Sequence, residues 1–445
     1  MTGKIKKFIL ICFSYFFQRF QSILKGDFQF FKNKLKRYIK KLIFICLAFL
    51  YLPIFFFIKI LRSKFLIRFG EIPVGRVGHL ALETEIYFCN KNKEINSQNQ
   101  TNTYDLFCVE EFSGYISNRT LFELIKKKIT IYPVFLIYPF ILLEKFFFKN
   151  KENIVYLTDQ DDRDIHQLIK KNPQNLFLSE SQRKKGESFL SDVCQGKKSQ
   201  KFVLLFVRDK AYLNNIFKNK NWNYHNYRDC NIDNYIEACE ELTKQGYYVF
   251  RMGHVVEKKL KTSNKKIIDY ATNGMRSDFL DIFLCANCSF AISTSTGMDY
   301  VPTVFRKPIL CINMSPVGLA NFPLDKWLVS FKDHYSKKLS RFLTLKEIFE
   351  LNLAYAESSD EYLEKGIVLK ETTPKENVSL FLEMHNAVKN DIFNSDMSDI
   401  KDINFKHLFK LYNEKYYPGN FDKLHRNFNA RISSSYLNQR LNFLQ

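Results

Sequence analysis

Between Phe202 and Pro308, short apolar runs repeatedly end in polar turns. Phe202-Val-Leu-Leu-Phe-Val207 passes into Arg208-Asp209, and Tyr247-Tyr-Val-Phe250 passes into Arg251-Met252-Gly253-His254. Ser289-Phe-Ala-Ile-Ser293 passes into Thr294-Ser295-Thr296-Gly297. Helical patterns lie between these runs. In Asp233–Lys244 the apolar Tyr235, Ile236, Cys239 and Leu242 share one face, and Gly246 follows as a C-terminal cap. Ser277 is placed to cap a helix Asp278–Leu284, and Pro308-Ile-Leu-Cys-Ile312 is the last clear strand. Such alternation predicts an α/β fold with a parallel sheet, a Rossmann-like half. Ligands of such sheets bind beyond the carboxyl ends of the strands. The residues collected there are Arg208, Asp209, Arg251, Gly253, His254, Ser277, Asp278, Ser293, Ser295, Thr296 and Gly297. They suit a phosphate-bearing ligand, with arginines to fork onto its oxygens and hydroxyls and amides at a helix mouth.

The net charge of +21 over 445 residues is unevenly spread. Residues 1–70 hold 15 Lys and Arg against the single acid Asp27, which leaves only +7 for the other 375. No zinc-finger spacing, basic zipper or RNP-like motif occurs, so no nucleic-acid partner is expected. The leader alternates cations with apolar blocks: Lys4–Lys7 before Phe8–Phe17, then six cations in Lys32–Lys41 before the uncharged 17-residue run Leu42–Ile58. As a straight helix that run spans about 25 Å, marginal for a bilayer core, and Pro53 interrupts it. Residues 1–64 are expected to associate with a membrane surface, as a monotopic anchor or as a single span. The same run also suits a buried helix of the first domain.

A first Rossmann-like domain is expected over residues 65–195. Phe65–Phe69 reads as a strand and leads through the glycine-bearing turn Gly70–Gly78 to His79 and a helix Ala81–Phe88. Tyr104–Val109 reads as a second strand, Leu121–Ile125 starts a helix, and the apolar run Ile131–Phe148 is broken by Pro133 and Pro139. His79, Glu83 and Glu85 are candidates for deprotonating an acceptor, His79 first among them, and His79, Glu85 and Arg208 are the expected catalytic residues. The strand-like Ile154–Leu157 ends in Asp159-Gln-Asp161, a pattern that can hold a divalent metal but equally well a solvated helix cap. Polar punctuation over 172–200 suggests a linker around a helix Gln182–Val193. A second Rossmann-like domain is expected over 196–390, and residues 391–445 form a tail with no assigned role. Ten scattered cysteines, several inside apolar runs, read as buried thiols of a reduced compartment.

The stretches Val207-Arg208-Asp209, Tyr227–Tyr235, Gly246–Gly253, Arg276–Asp281 and Ser293–Gly297 together resemble a bacterial family of surface-polysaccharide glycosyltransferases. The resemblance covers about residues 65–340. It implies a GT-B-like fold, two Rossmann-like domains facing a cleft, and a nucleotide-sugar donor with no metal and no other cofactor. The arginine after the first strand is similar to that of fucosyltransferase-like enzymes, but their His-x-Arg pattern is broken here, with Phe206 in the place of the histidine before Arg208.

The expectation is therefore a glycosyltransferase in which Arg208 and its neighbours stabilise the departing diphosphate. Its acceptor would be a lipid-linked or surface glycan, at the cytoplasmic face of the inner membrane. Two alternatives stay open: a metal-dependent transferase using Asp159 and Asp161, and a non-catalytic nucleotide-binding scaffold of polysaccharide assembly.

Overall fold

The structure, a computed structural model, describes residues 28–96, 102–110, 115–148, 152–157, 164, 166–195, 200–216, 221–320, 322–394, 399–418, 428 and 430–445. The basic leader before Phe28 and the Asp159/Asp161 loop lie outside the described residues. The chain forms two compact units. The first comprises Met1–Glu71, Thr101–Gly114 and Ile131–Val155; the second comprises Ile72–Gln100, Tyr115–Thr130 and Tyr156–Gln445.

The first unit is built on three strands, β1 (Phe65–Ile72), β2 (Asn102–Val109) and β3 (Ile154–Val155), in the order β2-β1-β3. β1 and β3 run parallel, with Phe69 opposite Ile154. Helices Phe28–Leu50, Leu52–Ile60 and Val134–Phe147 complete it. Ala48, Phe55, Phe69, Phe140 and Ile141 meet in one buried cluster, in which the Phe69 and Phe140 rings stack at 4.7 Å. The sequence predicted a break at Pro139, yet the helix runs through it. Ile137, Phe140, Ile141 and Leu143 on either side are buried, and their packing offsets the roughly 3 kcal/mol cost of an interior proline. The Lys59 ammonium reaches inward to Glu144 at 2.7 Å and to Asn153 at 2.6 Å.

The second unit carries a seven-stranded sheet. Its strands are β4 (Phe202–Phe206), β5 (Tyr248–Met252), β6 (Ile267–Ile268), β7 (Phe290–Ser293), β8 (Ile309–Met314) and β9 (Trp327–Phe331). An antiparallel trio follows, β10 (Asp333–Ser336), β11 (Arg341–Phe342) and β12 (Ile367–Lys370), and β13 (Arg431–Ile432) completes the large sheet. The large sheet has the order β13-β9-β8-β7-β4-β5-β6, and every pair is parallel. β4, β5 and β8 are buried along their whole length, as parallel strands covered on both faces require. The chain starts at β4, steps outward to β6, then returns to β7 and steps outward the other way. The switch point is thus between β4 and β7, the position where doubly wound sheets bind ligands.

Local signals act here as expected. The Ser277 hydroxyl accepts from the Leu280 amide and starts the helix Asp278–Asn287, and Gly246 (φ +91°) follows the helix Ile236–Lys244. Two segments behave differently from their sequence reading. The helix Glu180–Val193, expected as part of a linker, is closed by a reciprocal Ser179–Gln182 capping box. Its Gly186 lies so close to Phe283 that a Cβ would fall 2.2 Å from the ring, so this segment is packed rather than a free tether. The tail supplies a strand: Arg431 and Ile432 of β13 pair with Leu328 and Val329 of β9. Glu383 secures it by accepting from the Ser434 and Ser435 amides at 2.8 and 3.0 Å. Segments 72–100 and 115–130, expected in the first Rossmann-like domain, belong to this second unit.

Candidate active site

Within the second unit a cleft of about 580 Å³ opens at the carboxyl ends of β4, β5, β7 and β8, lined there by Arg208, Gly253, Ser295 and Met314. The first turn of the helix Val77–Asn96, with Arg76, Gly78 and His79, lines it as well. The two central strand ends are tied together. The Arg208 amide donates to Thr294 Oγ1 at 2.8 Å, so the residues following β4 and β7 are held in a fixed relation at the switch point.

Four arginines line this cleft: Arg76, Arg208, Arg228 and Arg276. Burial lowers the pKa of the Arg208 guanidinium, and the neighbouring charge of Arg228 lowers it further. Its counter-charge is incomplete. Arg208 Nε stands 3.2 Å from Asp229 Oδ1, but neither atom is aligned for a hydrogen bond. Burial pushes the Asp229 carboxyl up to about 6, against the pull of Arg208 and Lys332. Arg228 donates through Nη2 to the Ser295 carbonyl at 2.7 Å, while its buried Nε has no partner among the described residues. Both guanidinium groups line the cleft, and two like charges held near each other there form a site preset for an anion.

The turn after β7 is fixed from below by Asp299. One oxygen of this carboxylate accepts from the Thr296 amide at 2.9 Å; the other accepts from the Thr296 hydroxyl at 2.7 Å and from Ser293 Oγ. Ser295 adopts φ +61°, which turns the backbone sharply at the cleft wall. Gly78 packs directly on this turn: a Cβ there would fall 2.5 Å from the Gly297 carbonyl oxygen. Only a glycine lets the helix start come this close.

His79 and Glu83 sit one turn apart on that helix, both line the cleft, and His79 Nδ1 is hydrogen-bonded to Glu83 Oε1. A carboxylate that orients an imidazole is the usual arrangement of a histidine base. His254 also lines the cleft, with its ring centroid 6.1 Å from that of Tyr212, and burial together with Arg276 lowers its pKa. On another wall Trp222 and His225 stack at 5.8 Å, a flat surface suited to a base or a sugar ring.

Of the residues singled out in the sequence, His79, Glu83, Arg208, Asp209, Gly253, His254, Ser295, Thr296 and Gly297 line the cleft together. Asp209 is already occupied there, accepting the Ala211 and Glu257 amides at 2.9 Å each. The others serve elsewhere. Arg251 lies inside β5, fully buried, bonded to Asp269 at 3.0 Å. Glu85 is fully buried and pairs with Arg306 at 2.7 Å; burial raises its pKa against that arginine's pull, and it does not face the cleft. Ser277 caps a helix, Asp278 accepts from the Arg119 amide and from Arg276, and Ser293 is buried on Asp299. Asp159 and Asp161 lie outside the described residues. The sequence reading assigned no role to Arg76, Arg228 or Arg276. Arg228 and Arg276 stand in short polar stretches next to aspartates, which look like local ion pairs until the sheet brings them together.

No known protein family matches the chain, and no curated protein sequence matches it. Among solved structures it is similar to the ADP-heptose LPS heptosyltransferase II of E. coli, at 12% identity and a TM-score of 0.34. That similarity covers 59% of this chain and 90% of the other. At this level the likeness says nothing of activity, which has to be argued from the cleft.

Proposed function

We propose that this chain is a glycosyltransferase that takes a nucleotide-sugar as donor and a lipid-linked or cell-surface glycan as acceptor. The observation that carries this reading is that Arg208 and Arg228 both line the cleft at the switch point of the sheet, close enough for the charge of Arg228 to act on Arg208. As the glycosidic bond to the diphosphate breaks, negative charge develops on the leaving phosphate oxygen. Preorganised guanidinium groups stabilise that charge more than they stabilise the intact donor, and the rate rises accordingly. The Ser295-Thr296-Gly297 turn adds hydroxyls and amides, and Trp222 and His225 offer a stacking face for the base. His79, oriented by Glu83, takes the proton of the attacking acceptor hydroxyl. In this scheme the arginines do the work that a divalent ion does in metal-dependent transferases. We place the reaction at the cytoplasmic face of the inner membrane, a reading that the cation-rich apolar leader of residues 1–64 supports.

The test is titration calorimetry of the full chain with UDP, GDP, ADP, CDP and dTDP in EDTA, followed by turnover of the matching nucleotide-sugars. One nucleotide should bind in EDTA, bind about 10- to 100-fold more weakly to Arg208→Ala, and give a donor that is consumed. Binding only with Mn²⁺ would move the site to Asp159 and Asp161. Binding without turnover on any acceptor would make the chain a scaffold, and no binding at all would end the nucleotide-sugar reading.

A further inference from the structure

The first unit presents an apolar surface that the fold itself does not use. On the helix Phe28–Leu50 the side chains of Phe44 and Ala48 are buried, while Leu42, Ile43 and Leu50 point outward. On the next helix Phe55 is buried, while Ile54, Phe57 and Ile60 point outward. These six outward residues are between 52% and 75% exposed. Soluble proteins seldom leave so many large apolar side chains exposed on adjoining helices without a use for them. The surrounding charge says what covers them. Residues 28–64 hold nine Lys and Arg and no Asp or Glu, and Lys36, Arg37, Lys40, Lys41, Arg62 and Lys64 are exposed. Arg62 is paired with Glu152, but the two helices themselves carry only cations, and an apolar face with that excess complements an anionic lipid surface.

We infer that the two helices lie in the plane of an anionic membrane, with their outer face sunk into the headgroup layer and their inner face still part of the protein core. Among the described residues no single helix is long and apolar enough to cross a membrane. Leu35–Leu50 and Leu52–Ser63 qualify only as a pair, and they are bent by 54° at the junction. The inner face is also committed. Ala48 and Phe55 belong to the cluster around β1, and Lys59 is bonded to buried Glu144 and to Asn153. Drawing the pair across a bilayer would empty that cluster, whereas lying in the interface leaves it intact. This inference is independent of the nucleotide site, and its failure would leave that site untouched.

The experiment is co-sedimentation of the full chain with vesicles of phosphatidylcholine alone and with phosphatidylglycerol added. The chain should bind the anionic vesicles at least about tenfold more strongly, and high salt should weaken that binding. The double variant L50E/F57E should lose at least about tenfold while unfolding at the wild-type temperature, since both side chains are exposed. Cys46 provides a depth gauge: it is exposed on the same helix, and the other described cysteines are buried. A fluorophore on Cys46, in a chain carrying Cys12→Ser, should be quenched more by spin labels near the lipid carbonyls than by labels at mid-bilayer. The inference is overturned by any of three results. These are no binding of the wild type, equal binding of L50E/F57E (including the case where that variant instead splits a dimer in sedimentation velocity), or stronger quenching at mid-bilayer, which would mean a span.

Discussion

Arg228 holds the carbonyl of Ser295 at 2.7 Å and so fastens the turn after β7 to a segment 67 residues away in sequence. Its Nη2 is used in that contact while the side chain also lines the cleft, so one guanidinium both shapes the anion site and borders it. Replacing Arg228 with Ala should weaken nucleoside diphosphate binding about 10- to 100-fold, the loss of one or two charge-assisted hydrogen bonds. Replacing it with Lys should recover only part of this, because an ammonium cannot reach the carbonyl and the phosphate in the forked manner of a guanidinium. Calorimetry on both variants decides the point; a Lys variant that binds like wild type would reduce Arg228 to a point charge.

His79 and Glu83 separate chemistry from binding. If His79 is the base, His79→Ala should lower kcat about 10²- to 10⁴-fold and leave the donor dissociation constant near the wild-type value. Glu83→Gln keeps a hydrogen-bond acceptor for the ring, so it should lower kcat less than His79→Ala does and leave the donor dissociation constant near the wild-type value. Equal losses in kcat and in donor affinity for His79→Ala would instead make the histidine part of the donor site.

Arg251 illustrates the opposite role. Its buried guanidinium is held by Asp269, whose other oxygen accepts from the Leu260 amide at 2.9 Å and from Thr272 Oγ1 at 2.6 Å. Arg251→Ala empties a fully buried site in the sheet, leaves the half-buried Asp269 without its ion partner and loosens that loop. It should cost about 2–5 kcal/mol of stability in urea unfolding. Nucleotide affinity of the folded fraction should change little, because Arg251 does not reach the cleft. A variant that stays fully stable but loses the nucleotide would reverse this assignment.

The contrast between Arg208 and Arg251 shows what the sequence revealed and what it hid. The alternation of β4, β5, β7 and β8 was readable because each buried run ends in polar residues, and Ser277 and Gly246 announced their helix ends. Strand length was not readable. Tyr247–Phe250 reads as a strand that stops before Arg251, yet β5 continues to Met252 and takes Arg251 inside the sheet. In a strand buried on both faces no polar alternation marks the last residue. Glu85 was misread for a related reason: on the helix Val77–Asn96 it turns away from the cleft toward Arg306, 221 residues further on. A single helical segment does not reveal which of its faces meets a distant arginine. The cluster of Arg76, Arg208, Arg228 and Arg276 depends on chain crossings that no local pattern encodes.

His334 gives the fold a pH dependence with a definite sign. It is fully buried in β10, with Nδ1 at 3.1 Å from the Lys332 carbonyl, and burial lowers it from 6.5 to about 4. A histidine depressed in the folded state adds stability above its unfolded pKa and gives it up as pH falls toward the folded one. The window here is therefore about 6.5 down to 4. Asp229, Asp281 and Asp299, each pushed up to about 6 by burial, act in the opposite direction: their contribution is present at low pH and lost as pH rises through 6. The wild type alone would mix these effects, so the measurement is a difference. Relative to His334→Gln, the wild type should lose stability as pH drops from 6.5 to 4, by at most about 1.4 kcal/mol per pH unit. Parallel stability curves for the two proteins would show that His334 is not held neutral.

Gly78 and Gly297 face each other in the cleft wall and should respond differently to the same change. A methyl at Gly78 would lie 2.5 Å from the Gly297 carbonyl and 3.1 Å from the Tyr300 ring, while one at Gly297 meets nothing within 4 Å. Gly78→Ala must push the start of the helix Val77–Asn96 off the turn, which should cost about 1–3 kcal/mol of stability and displace His79 from its position over the cleft. Gly297→Ala should fold as the wild type does. Its effect on nucleotide binding then reports what the turn is for. If the phosphate approaches the Gly297 amide, the added methyl stands in its way and affinity falls while the melting temperature of the free protein is unchanged. If affinity is also unchanged, the phosphate is carried by the arginines alone, and the glycine is there only to let the helix pack.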